Sequence, residues 1–262
     1  MYVGRFINLD RSPDRRASME AQLQKFGLSD RYKRFSAIDG EDGQKACFQS
    51  HVLLLKETEC PVHVLEDDAI LSAYVLSVVD FLVSSGVLDN LDIVFTETIV
   101  GPDDVFELRD LKQLFDKHRA DETFIVRDIT PTYRCGTSSY LVGSKNKDRV
   151  LAVFQRGLDR GGLPFDLFIR QEARAGNLKL GCVFPFVTCI AIEAPTAIVG
   201  RSNDSARLSK QAVDLLRYSF FVDRDLGRAA SFMSPIKTAP DQHRDLIEAV
   251  VGFVVSDQFV KF

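Results

Sequence analysis

The sequence predicts an α/β protein: a central sheet flanked by helices, with a mainly helical segment at the C-terminus. Short apolar runs of strand type alternate with segments of helical spacing over roughly the first two hundred residues. After Ala197 the pattern changes to a polar link, Arg201 to Ser205, followed from Leu208 by helical spacing alone. The 262 residues, 45% hydrophobic and 27% charged, allow folding to bury roughly three quarters of the unfolded chain's surface without disulfides or a structural metal.

Phe6 to Leu9 reads as a first strand, and Asp10-Arg11-Ser12-Pro13 supplies a turn and a helix start. Arg15 to Phe26 follows as a helix with Met19, Leu23 and Phe26 on one face and Gly27 as its stop. Tyr32 to Ile38 is a strand closed by Asp39-Gly40, and the polar loop Glu41 to Lys45 leads into a helix from Ala46 to Thr58. Pro61 to Leu65 is a buried strand that ends in Glu66-Asp67-Asp68. Ser72 to Ser84 has helical spacing, Leu91 to Thr96 strand character, and Gly101 to Glu122 is charged and partly helical. Strands follow at Phe124 to Arg127 and Ser138 to Val142, helices at Lys145 to Gln155 and Phe165 to Ala175, and a strand at Gly181 to Ile192.

This organisation divides the chain into a domain over 1–205 and a helical extension over 206–262. The extension spaces Val213, Leu216 and Phe220 as a helix and later carries the apolar run Val250, Val251, Phe253, Val254 and Val255. Packing on the main domain or on a partner subunit, as in a homo-oligomer, accounts for both. Peripheral docking on a membrane surface is the alternative, although the basic excess it usually needs is missing.

The formal net charge of -4 and pI of about 5.6 argue against nucleic acid as a partner, since phosphate neutralisation needs clustered Lys and Arg. Anionic small molecules stay open, because a few placed arginines suffice for them. The apolar window Val183 to Ile192 contains Pro185 and is about half of a membrane span. Met1 to Leu9 lacks the apolar region of a secretory signal, so the expected location is cytoplasmic. The cysteines, Cys47, Cys60, Cys135, Cys182 and Cys189, form no Cys-x-x-Cys pair and read as reduced, buried thiols.

Glu66-Asp67-Asp68 is the sharpest chemical feature. Adjacent carboxylates repel unless something positive sits among them, and a hard divalent cation is the simplest answer. Alternation along a strand end lets Glu66 and Asp68 converge while Asp67 faces away, and ligands of open α/β sheets bind at strand ends. A solvated acidic turn is the alternative. Asn8 to Arg16 places Arg11, Arg15 and Arg16 at a helix N-terminus after the first strand, suited to phosphate or nucleotide contact or, alternatively, to a solvated face with internal Asp/Arg pairs. His51, two residues after Gln49, reads as a hydrogen-bonded structural histidine rather than a catalyst. There is no Gly-rich phosphate loop and no nucleophile elbow.

Taken in order, these segments resemble glycosyltransferase family 25, the bacterial lipo-oligosaccharide and LPS biosynthesis glycosyltransferases related to collagen β-galactosyltransferases. Phe6 to Arg16 is similar to the family's opening strand, polar turn and Asp-Arg-Arg helix start, and Phe35 to Gly40 to its aromatic, Ala-Val-Asp-Gly element. Ala46 to His51 resembles its Gly-Cys-x-x-Ser-His signature, and Val64 to Asp68 its acidic metal and nucleotide-sugar motif. Leu91 to Val94, Ser138 to Val142, and Leu163 to Asp166 are similar to its next strand, its small-residue strand and its Pro-x-Asp element. The resemblance spans about residues 5 to 205; Ala46 replaces a Gly, and the segment between Gly40 and Cys47 is shorter than usual.

The resemblance implies a GT-A-like, Rossmann-type central mixed sheet and an inverting, metal-dependent hexosyltransferase. It would move a hexose, galactose being the implied sugar, from a UDP-sugar to a glycan or lipid-linked oligosaccharide in surface-polysaccharide biosynthesis. The implied cofactor is a divalent metal, Mn²⁺, on Asp68 and Glu66. Asn8, Leu9, Arg11, Arg15, Asp39, His51, Glu66 and Asp67 are the implied nucleotide-sugar residues. Asp166 is the candidate catalytic base, with a helix N-cap as its alternative. The shortened loop motivates a second reading, a catalytically silent nucleotide- or glycan-binding module. A metal-dependent phosphohydrolase fits less well, lacking a His/Asp cluster for a two-metal site.

Overall fold

The structure, a computed structural model, describes residues 2–101, 105–191, 213–225 and 227. The first elements are β1 (Val3–Asn8), α1 (Pro13–Lys25), β2 (Tyr32–Ser36), α2 (Gly43–Glu57), β3 (Val62–Glu66) and β4 (Ala69–Leu71). Next come α3 (Val75–Ser84), α4 (Val87–Asn90), β5 (Ile93–Phe95), α5 (Val105–Asp121), β6 (Ile125–Asp128) and β7 (Ser139–Val142). They are followed by α6 (Lys147–Arg160), α7 (Phe165–Arg174), β8 (Leu180–Phe184) and β9 (Thr188–Ile190). A helical segment over 213–218 follows.

Seven strands form a mixed sheet in the order β2-β1-β3-β7-β5-β8-β6. β1, β2, β3, β5 and β8 run in one direction, while β7 and β6 run against them. The ends of β1, β3 and β5 therefore share one edge, and the antiparallel β7 begins there. Both faces are covered, as the unbroken burial of Val62, His63, Val64 and Leu65 requires. Period-two alternation divides the core. Ile7, Val62, Val64, Ile93, Phe95, Tyr140 and Val142 join the cluster that includes residues of α2, α6 and α7. Phe6, Leu65, Val94, Leu141 and Val183 join Met19 and Leu23 of α1 and Val75, Val78 and Val79 of α3.

Local chemistry explains the main boundaries. Pro13 opens α1, and Gly27 follows it at φ 67. Asp42 caps α2, its carboxylate accepting from the amides of Gln44 and Lys45 at 3.1 and 3.0 Å. The expected strand from Gly181 to Ile192 is two: β8 lies in the main sheet, and β9 pairs with β4 in a separate antiparallel sheet. Pro185, without an amide proton, separates them. β4 occupies Ala69 to Leu71, just ahead of the stretch expected to be helical from Ser72, and α3 starts only at Val75. The stretch expected to be partly helical is a continuous α5 from Val105.

In the C-terminal segment, Leu215, Leu216 and Phe220 are buried, and Phe220 packs against Phe115 and Phe184. The run Val250 to Val255 lies outside the described residues. No helix among the described residues is long and apolar enough to cross a membrane.

His63 is fully buried in β3; its Nδ1 lies 2.5 Å from the Tyr32 hydroxyl and its Nε2 2.9 Å from Ser139 Oγ. Burial pushes its pKa down to about 3 from 6.5. Between those values the unfolded chain binds a proton that the native state excludes, so this residue's contribution to stability is complete above pH 6.5 and declines on acidification. The slope is at most about 1.4 kcal/mol per pH unit. In urea unfolding, His63→Gln should be about 1–2 kcal/mol less stable than wild type at pH 7.5, and the gap should narrow at pH 5. A gap constant with pH would show that His63 is not the titrating group.

Candidate active site

The acids stand where β3 leaves the sheet, and the alternation of its side chains separates them. Glu66 lies in phase with Val64, toward α2 and α7. Thr137 Oγ1 donates to Glu66 Oε1 at 2.8 Å, and His51 Nε2 lies 3.5 Å from the same oxygen. His51 is itself fixed: its Nδ1 is 2.9 Å from the Tyr140 hydroxyl, and Phe165 stacks on its ring at 4.3 Å. Burial alone would raise the Glu66 carboxyl, but His51, Thr137 and the charge of Arg217 outweigh it and hold it below the usual range.

Asp67 points the other way, as expected. Its two oxygens accept from Asn8 Nδ2 at 2.7 Å and Arg15 Nη1 at 2.9 Å, tying the end of β3 to β1 and α1. Asp68 Oδ2 is 3.8 Å from Arg15, while Asp68 Oδ1 is buried without a hydrogen-bond partner. Burial, followed by the charges of Glu66 and Asp67 against those of Arg15 and Arg217, pushes the Asp68 carboxyl up to about 7. An unsatisfied carboxylate oxygen beside a second carboxylate is a site that fits a hard cation. Among the described residues no group of three or more His, Cys, Asp or Glu converges on a metal position, so the protein's share of the ligands would be these two acids.

Behind them lies a cluster that inspection of the sequence did not single out. Glu97, just past β5, is fully buried; it accepts from Ser138 Oγ and from Arg217 Nη1, the latter at 2.9 Å. Arg217 Nη2 donates to Asp214 at 3.2 Å. Burial raises the Glu97 carboxyl, with Arg217 and Ser138 opposing. Burial also works against the Arg217 charge, but Glu97, with Asp214 and Asp68, keeps it protonated.

The remaining expected residues fall into two groups. Asn8 is buried, donates to the Ser12 carbonyl at 3.0 Å and accepts from Arg34 at 2.9 Å. Leu9 is half-buried, its carbonyl accepting from the Ser12 amide at 2.9 Å. Arg11 and Asp39 form an exposed ion pair between the loops after β1 and β2. Asp166 lies inside the first turn of α7. Pro164 holds the N-cap position, and among the described residues Asp166 Oδ1 accepts from the next amide, Leu167, at 2.8 Å. The Cys47 thiol, raised first by burial, also feels the charges of Glu66, Asp166 and Asp68.

A mixed α/β sheet with its polar groups gathered beyond the strand ends defines a Rossmann-like protein, a class in which ligands bind at that edge. The family model of glycosyltransferase family 25 (LPS biosynthesis protein) matches residues 41–169, from the loop before α2 through Asp166 and into α7. Residues 41–169 belong to this family. The protein is a glycosyltransferase, with a sugar donor and a glycan acceptor. No curated protein matches the chain. The match includes His51, Glu66, Asp67, Asp68, Glu97 and Asp166; Asn8, Arg11, Arg15, Asp39 and Arg217 lie outside it.

Removing Arg217 leaves Glu97 buried without its cation. Arg217→Met should cost about 3–5 kcal/mol in urea unfolding, and adding Glu97→Gln should return about half of that loss. A single-variant cost below about 1 kcal/mol would mean that the pair does not hold the site together.

Proposed function

We propose that the protein is a metal-dependent, inverting hexosyltransferase that moves a sugar, galactose on the family resemblance, from a UDP-sugar to a glycan or lipid-linked acceptor. The observation carrying this reading is the buried, unpartnered Asp68 Oδ1, two residues after Glu66 at the end of β3. A cytoplasmic site of action, with peripheral membrane contact or self-association, accompanies the proposal.

Glu66 and Asp68 are the residues that would hold the divalent cation, Mn²⁺ in this proposal. When bound, such an ion neutralises charge developing on the departing nucleoside diphosphate. The protein supplies the rest. His51 and Thr137 keep Glu66 ionised and oriented, and Asp67, locked to Asn8 and Arg15, fixes the direction in which its neighbours point. The exposed pair Arg11 and Asp39 offers polar contacts on the β1/β2 side for the nucleotide. Asp166 has one oxygen directed at an amide and one without a partner among the described residues. It accepts the acceptor hydroxyl's proton while that oxygen forms the new bond to the anomeric carbon and the bond to the diphosphate oxygen breaks on the opposite face.

Asp166→Asn should retain UDP affinity and lose about 10²–10⁴-fold in transfer rate; near-wild-type turnover would remove Asp166 from the mechanism. Asp68→Ala should abolish the Mn²⁺-dependent part of UDP binding in calorimetry with and without chelator. Unchanged affinity would exclude Asp68 as a metal ligand.

A further inference from the structure

A groove of about 540 Å³ opens on the other side of the acids from β1 and β2. Its wall includes Ile99 after β5, Arg134 and Cys135 ahead of β7, and Arg170 and Arg174 of α7, with Glu107 of α5 as its carboxylate. Three guanidinium groups therefore face one acid. Arg134 and Glu107 have interactions of their own, whereas neither Arg170 nor Arg174 pairs with a carboxylate among the described residues.

The helix sets the spacing. Asp166, Arg170 and Arg174 follow at four-residue steps, so they share one face of α7, with about 6 Å of axial rise per step. The loop ahead of β7 links the groove to the site: Cys135 lines the groove, and Thr137, two residues on, donates to Glu66 at 2.8 Å. In the sheet, β7 and β5 lie on one side of β3, and β1 and β2 on the other. A nucleotide at the β1/β2 side would leave this groove vacant for the second substrate, and its volume suits a small glycan.

We propose that the groove is the acceptor subsite and that it selects a glycan bearing an anionic group, phosphate or carboxylate, which Arg170 and Arg174 bind so that a neighbouring hydroxyl meets Asp166. This inference rests on the transferase reading and names its acceptor class. Guanidinium groups match both anions bidentately, and their position along the helix from Asp166 would make charge recognition a way of choosing which hydroxyl reacts.

The test is calorimetry or ligand-observed NMR on the full chain at fixed ionic strength, with glucose, glucose 6-phosphate and glucuronate as probes. At least one charged sugar should bind about tenfold or more tightly than glucose, and whichever gains more identifies the anion. Arg170→Gln/Arg174→Gln should erase that preference, and Arg170→Lys/Arg174→Lys should keep part of it, with thermal melts confirming that both are folded. Equal affinity for all three sugars, or a preference that survives the glutamine pair, would overturn the proposal. So would loss of UDP–Mn²⁺ binding in the glutamine pair, which would assign the groove to the donor. UDP–Mn²⁺ binding by wild type is read in parallel. Its absence would remove the UDP-sugar, metal-dependent reading, and with it the acceptor role argued from it, even if the charged-sugar preference persisted.

Discussion

Glu66, Asp67, Asp68 and Glu97 crowd against one sheet edge, and like charges in a partly desolvated space raise each other's free energy unless cations answer them locally. The fold answers from two directions. Arg15, on α1, meets Asp67 at 2.9 Å and stands 3.8 Å from Asp68. Arg217, from the far end of the described chain, meets Glu97 at 2.9 Å. The compensation is uneven, and that gives the site its character: Asp67 is fully satisfied, Glu66 is kept ionised, and Asp68 is left with a bare oxygen and a pKa near 7. A protein selected only for stability would have little reason to retain that last feature.

The Arg217 contact also ties the segment over 213–225 to the sheet. That segment does not merely rest on the sheet. Phe220 enters the core beside Phe184 and Phe186, and the backbone bridges Phe186 to Phe221. The ion pair has almost no exposed surface, 3% for Arg217 and 0% for Glu97, so it sits in space that this packing keeps from water. Stability and site electrostatics are thus coupled through one helical turn.

How much of this was legible in the sequence follows from the range of each interaction. The strands, the helix starts and the acidic strand end are written in neighbouring residues, so period-two and three-to-four spacing located them within a few positions. The opposite directions of Glu66 and Asp67 likewise follow from alternation. Glu97 and Arg217 stand 120 residues apart, and nothing local marks Glu97 in Phe95-Thr96-Glu97-Thr98 as a buried acid; only its place just past an apolar strand could have drawn attention. The groove was equally hidden, because Arg134 comes from a loop while Arg170 and Arg174 come from a helix. Their four-residue step from Asp166 was visible in the sequence, but what that face looks onto was not. β4 was missed because Ala69-Ile70-Leu71 is too short for periodicity to distinguish strand from helix.

Helix α7 carries both halves of the proposed chemistry, so its placement must be rigid. Phe165 and Phe168 pack on Phe48 of α2 at 4.9 and 5.3 Å, and Phe165 also stacks on His51. On α6, a Cβ at Gly157 would stand 2.4 Å from the Phe168 ring, so only glycine permits the two helices this approach. Phe165, which helps seat α7 against Phe48, also seats the histidine facing Glu66. The candidate base, the arginines beyond it and the carboxylate opposite are referred to a single packed layer, α2, α6 and α7. That layer can keep donor-side and acceptor-side groups in register while the loops around the edge adapt to a particular sugar.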